Sequence, residues 1–243
     1  MAMSDQYPSH NRWRMAAQAS TGSIDQALRG HMLRVYNFMM LGLVLTGAVA
    51  ALVGSSPALF GPIFGTPLKW VVMLAPLGFI AVLSWRFDRL SAFSVQALFW
   101  TFCGVMGLSM ASIFLVFTGT SIARVFFIAA AMFGATSLYG YTTRADLSKW
   151  GSFLMMGLIG MVIAGLVNLF VGSSMVHFVV SVIGVIVFTG LTAFDTQRIK
   201  QDFVELHDHE ASTKLAVMSA LSLYLNFINL FQILLDMTGQ REE

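Results

Sequence analysis

The chain has 243 residues, 57% of them hydrophobic and 11% charged, with a mean hydropathy of +0.76 and a formal net charge of +2. Soluble domains carry roughly 25% charged residues, so a water-soluble globular class is excluded, and no basic tract suggests nucleic acid. A single cysteine, Cys103, excludes an intramolecular disulfide and reads as a small packing residue.

Residues 1–34 are polar and lack the apolar core of a cleaved signal peptide. They are expected to form a cytoplasmic N-terminal segment whose later part is a short interfacial helix. Seven apolar segments follow, at about 35–54, 68–86, 92–117, 120–141, 151–172, 176–196 and 215–237, each near the ~20 residues that a bilayer span needs. Short turns join most of them, and the one longer polar loop is 197–214. The expected fold is all-α: a polytopic integral membrane protein with a seven-helix domain over 35–237 and a short C-terminal tail, 238–243. With the N-terminus inside, eleven Lys/Arg fall on the cytoplasmic side and three outside. That bias predicts N-terminus in and C-terminus out. Small residues four apart, Gly107 with Ala111, Ala131 with Ala135 and Gly160 with Ala164, suit close helix approach.

The polar residues inside the spans carry the functional signal, because lipid tolerates them only where they find partners or water. In the last span, "KLAVMSALSLYLNFINLFQILLDM", Ser219, Ser222, Asn226 and Asn229 fall at spacings of 3, 4 and 3. They lie within about 80° of one helix face, continued with some drift by Gln232 and Asp236. This helix is therefore expected at the centre of the bundle, its stripe facing a wet cavity or simply hydrogen-bonding to other helices. In the sixth span, Ser181, Gly184, Thr192 and Asp195 define a second small or polar face. Asp195, near the cytoplasmic end, is a candidate proton sensor or cation ligand; capping or snorkelling is the alternative. Arg86, at the end of the second span on the same side, is a candidate partner for it. His207, Asp208, His209 and Glu210 form a polar loop segment in which a metal site is the less favoured reading, and His177 opens the sixth span at the outer interface. No nucleophile–base constellation is readable, so no enzyme is expected.

Three stretches together are specific: "FGATSLYGYTTRADLSKWGSFLMMGLIGMVIAGLVNLF" (133–170), "VIVFTGLTAFDTQRIK" (185–200) and "ALSLYLNFINLF" (220–231). They resemble the Bax inhibitor family, the transmembrane Bax-inhibitor-motif proteins, in a bacterial form. The resemblance implies a seventh helix surrounded by the other six and a pH-sensitive Ca²⁺ leak across a bacterial inner membrane. It also implies a sensor of two aspartates, on the sixth and seventh helices, latched by an arginine on the second. The first aspartate falls on Asp195 and the arginine on Arg86. The second belongs in the pattern "LYLDFINLF", where this chain has Asn226.

That departure has a physical consequence. Two adjacent carboxylates share a proton because both cannot ionise cheaply. Asn226 cannot ionise, although it can hydrogen-bond to Asp195. Calcium prefers six to eight oxygens, several of them carboxylate, so Asp195 with Asn226, Asn229, Ser219, Ser222 and Thr192 makes at most a weak site suited to passage. No resident cofactor is expected beyond transient Ca²⁺. Besides the bilayer and a cation, the remaining expected partner is a membrane protease or other membrane complex, for which the chain would act as a non-conducting modulator.

Overall fold

The computed structural model describes residues 9–86, 89–204 and 209–242, with side chains described from residue 26 onward except at a few positions beside the gaps. Nine helices form among the described residues: α1 (Ser9–Gly54), α2 (Pro57–Phe64), α3 (Leu68–Arg86), α4 (Ala92–Met110), α5 (Ile113–Val116), α6 (Gly119–Thr142), α7 (Ser148–Val171), α8 (Ser174–Val204) and α9 (His209–Thr238). The only extended pairing among those residues is an isolated bridge between Phe117 and Arg241.

Local chemistry sets the breaks. Ser91 and Thr118 cap α4 and α6, each side chain accepting from the backbone N–H three residues on. Pro57 starts α2. Gly172 ends α7 with a φ of 65°, the left-handed region that favours glycine. Inside α3, Pro76 lacks the N–H that would bond the carbonyl of Val72 four residues back. The Ser109 hydroxyl of α4 donates to that carbonyl instead, so the neighbouring helix satisfies the group that proline frees.

Six helical segments are long and apolar enough to cross a membrane, or seven if α2 and α3, bent by 83°, count as one span. The first is not confined to residues after 34. The segment expected as a lead-in joins α1 without a break, and Leu28, His31 and Met32 are buried. The third expected span is interrupted after Met110, and its last turn is α5. The expected 197–214 loop is mostly helix, since α8 runs to Val204 and α9 begins at His209.

The helix α9 packs against α1, α4, α6 and α8. Its most apolar 18-residue stretch is 61% buried, against 6% for the corresponding stretch of α7. So α9 is the spine of the bundle, as its polar stripe predicts, while α7 leans mainly on α8 and leaves its other faces to lipid. One small-residue pair serves as expected. A Cβ on Gly107 would strike the Thr46 carbonyl of α1 at 2.7 Å, and Ala111 is fully buried. Gly160 faces open space, and Ala131 and Ala135 are exposed.

Candidate functional site

The α8–α9 pair builds the site. The helices run antiparallel, so the second half of α8 lies beside the first half of α9. Asp195 Oδ2 accepts two hydrogen bonds from α9, from Ser222 Oγ at 2.7 Å and from Asn226 Nδ2 at 2.7 Å. Asn226 is 6% exposed, so its amide spends a donor on a carboxylate out of bulk water. Bonds to a charged acceptor contribute roughly 1.5–3 kcal/mol each. The role expected for a second aspartate is thus taken by a neutral donor that holds the first one in place.

Asp195 is also reached from one side by a cavity of about 230 Å³, lined by Arg198, Asp202, Ser219 and Ser222 among others. Arg198 and Asp202 form an ion pair at 3.5 Å, one turn apart on α8. On the other side of Asp195 the seam turns apolar. Val187, Phe188 and Leu191 of α8 pack with Leu230 of α9 and Leu154 of α7 in one buried cluster. A cavity of mixed polar and apolar lining therefore reaches Asp195, and a hydrocarbon cluster follows.

Other expected residues fall elsewhere. Arg86 ends α3 with an exposed side chain and makes no ion pair with Asp195. The interaction expected from their shared side is replaced by Ser222 and Asn226, and the guanidinium bordering the same cavity is that of Arg198. Thr192 is fully buried and donates to the Phe188 carbonyl of its own helix. Asn229 likewise bonds back to the Leu225 carbonyl. Ser219 lines the cavity. The residues 205–208 lie outside the described residues, and so does the side chain of His209. Among the described residues no three His, Cys, Asp or Glu side chains gather to hold a metal.

Several polar pairings had no sequence signal beyond residue type. The Thr46 hydroxyl bridges α1 to the Cys103 carbonyl of α4 at 2.9 Å and the Tyr224 hydroxyl of α9 at 2.7 Å. Gln197 clamps the α6–α7 turn, accepting from Leu147 N and donating to Ala145 O, both at 2.8 Å. At the opposite end, Asp236 takes His177 on one oxygen and Arg241 on the other. This ties α8 to α9 beside the tail, which pairs through Thr118 N–Gln240 O and Glu242 N–Val116 O.

Comparison with known proteins agrees with the helical architecture. The family model described as "Inhibitor of apoptosis-promoting Bax1" matches residues 28–243. An uncharacterized protein of Rickettsia prowazekii is 46% identical over 221 residues, covering 91% of this chain and 94% of its own. An uncharacterized protein of Caulobacter vibrioides is 43% identical over 231 residues, covering 91% and 92%. The Escherichia coli inner membrane protein YbhL is 43% identical over 217 residues, covering 88% and 93%. With apolar helices of membrane-spanning length and this match over nearly its whole length, the chain is an integral membrane protein that belongs to the Bax inhibitor family.

Proposed function

We propose that the protein is a cation leak, with Ca²⁺ as the favoured ion and Asp195 as the gate residue, in a bacterial inner membrane with its N-terminus cytoplasmic. It acts as a channel and not as an enzyme. One observation carries this reading: a largely buried carboxylate that borders a cavity also lined by Arg198, Asp202, Ser219 and Ser222, bonded to Ser222 and Asn226 and backed by an apolar cluster. An aspartate at the bilayer centre costs roughly 2.5–3.5 kcal/mol on insertion scales and less toward the interface, where Asp195 is expected, and a purely structural glue needs no carboxylate next to a cavity. The side chains of Ser219, Ser222 and Asp195 offer oxygens to a passing ion. Asp195 is the one carboxylate at that cluster, so the ion is held weakly and can leave. The family resemblance supplies the ion and the pH sensitivity.

A second reading is favoured by a specific feature. Asn226 stands where the resemblance expects a second aspartate, and without it the chain would serve as a non-conducting modulator of a membrane protease or another membrane complex. Flux from the purified protein alone separates the two, because a modulator needs its partner. Ca²⁺ uptake into proteoliposomes is measured from pH 5 to 8 for wild type, Asp195→Asn and Asn226→Asp. Wild type should conduct above empty liposomes, and Asp195→Asn should flatten its pH response. Conduction by Asn226→Asp alone would refute the leak and leave the modulator.

A further inference from the structure

A second concavity opens between α1 and α6. The helices α1 and α6 both pack on α9 yet diverge from each other, leaving a groove of about 590 Å³ whose floor includes Phe227 of α9. Its walls are hydrocarbon, thioether and ring: Met32, Met39 and Met40 from α1, Phe126 and Phe133 from α6. The hydroxyls of Tyr36 and Ser137 inside it are already engaged. Tyr36 bonds Ser137, and Ser137 bonds Thr196 of α8 at 3.0 Å. An apolar occupant therefore strands neither of these two hydroxyls, and flexible methionine side chains mould to a flexible chain.

Charge marks one end only. Arg29 lines the groove at the N-terminal end of the described α1 span. Lys200 donates to the Tyr141 carbonyl at 3.2 Å and sits 5.2 Å from the Tyr141 ring, itself a groove residue. Neither cation pairs with a carboxylate among the described residues. From Arg29 to Leu43, both lining residues, a helix rises about 21 Å. Half the hydrocarbon core is about 15 Å thick, so the groove runs from one interface to just past the bilayer centre.

We propose that this groove is a binding site for one anionic phospholipid of the leaflet at the Arg29 end, an acyl chain lying between α1 and α6 and the phosphate at Arg29 with Lys200 nearby. The site is independent of whether the protein conducts ions. A basic residue at the membrane surface favours an anionic headgroup about fivefold, and here it stands over a preformed apolar trench.

Gly134 provides a test that spares the fold. It lines the groove, and a Cβ there meets nothing within 4 Å, so Gly134→Leu fills the trench while Gly134→Ala serves as the matched control. Full-length protein is equilibrated with equimolar phosphatidylglycerol and phosphatidylethanolamine in detergent micelles, and bound lipids are counted by native mass spectrometry. Wild type and Gly134→Ala should retain one more lipid than Gly134→Leu, with phosphatidylglycerol preferred. Arg29→Gln should lower the phosphatidylglycerol to phosphatidylethanolamine ratio about fivefold. Equal retention by the Leu and Ala variants, or an unchanged ratio in Arg29→Gln, overturns the proposal. So does a change in oligomeric state on Gly134→Leu, which would give the groove to a second copy of the chain.

Discussion

Gly140→Ala should damage both the bundle and the site, and the size of the effect follows from one contact. A Cβ at Gly140 of α6 would lie 2.2 Å from the Ala193 carbonyl oxygen of α8, where ordinary contact begins at 3.4 Å. The obstacle is backbone, so no rotamer change relieves it, and α6 and α8 must part by about 1.2 Å (from 2.2 to 3.4 Å). Overpacking of this kind costs about 1–3 kcal/mol. Alanine returns up to ~1 kcal/mol of helix propensity, which leaves a net loss of about 0–2 kcal/mol. Gly134→Ala, on the same helix with open space at its Cβ, receives the propensity gain without the clash. In detergent melts the two variants should move in opposite directions, Gly134→Ala upward and Gly140→Ala downward. Because Ala193 lies two residues before Asp195, Gly140→Ala should also disturb the bonds to Ser222 and Asn226 and change any pH-dependent flux. Equal melting shifts for both variants would refute the close approach of α6 and α8, and with it the rigid placement of Asp195.

Three further outcomes are expected. Thr46→Val removes the hydrogen-bond partner that the fully buried Tyr224 hydroxyl has among the described residues; the loss should lie near 0.6–2 kcal/mol, as for hydrogen bonds between membrane helices, and Tyr224→Phe in the same background should recover part of the melting temperature. Leu230→Ala opens the apolar cluster beneath Asp195; it should cost about 2–5 kcal/mol of stability yet raise flux in proteoliposomes, and an unchanged leak would place the barrier elsewhere. In the α6–α7 turn, the Ser148 backbone N–H, the Ser148 hydroxyl and then Lys149 hold the Asp146 carboxyl below its ordinary 3.8. A depressed folded-state value stabilises above the unfolded one and is lost as pH falls through the folded one. The small melting difference between wild type and Asp146→Ala should therefore be the same at pH 7 and pH 5 and fade as the pH falls below 3.8 and through the folded-state value.

How much of this was legible in the chain depended on whether a residue's partner lay on its own helix face. The stripe from Ser219 to Asn229 was visible because 3- and 4-residue spacing is a property of one helix, and it correctly placed α9 at the centre and Ser222 and Asn226 beside Asp195. The Arg86 pairing required the distance between two helix ends, which no spacing encodes. Arg198, three residues from Asp195 and four from Asp202, carried the readable signal that sequence reasoning passed over. Hydropathy marked where lipid begins but not where helix begins, so it missed the continuity of α1 through Leu28 and Met32. Glycine spacing was a poor guide for a related reason. Gly107 and Gly160 look alike in sequence, and only Gly107 meets another helix.

The packing around Asp195 constrains how such a site can open. Helix α8 is pinned on several sides by positions with no room for a side chain. Gly140 of α6 sits against the Ala193 carbonyl, Gly151 of α7 against the Phe194 ring, and Gly190 of α8 itself against Leu154. Two of those contacts fall on the residues immediately before Asp195, and Gln197, two residues after it, is held at both ends of its amide by the α6–α7 turn. Sliding or rotating α8 would break all of these together, and a well-packed interior resists continuous deformation. On α9, Tyr224 is fixed to Thr46 and packs edge-on against Phe99 and Phe102 of α4. The freedom that remains is in side chains along the α8–α9 seam: the rotamers of Ser222, Asn226 and Leu230. In the proposed leak, an ion or a proton reaching Asp195 would compete for the oxygen that accepts from Ser222 and Asn226. Under the proposed leak, a gate of this kind would respond to the state of one carboxylate without moving a helix, so Asp195→Asn and Leu230→Ala are the substitutions that test it.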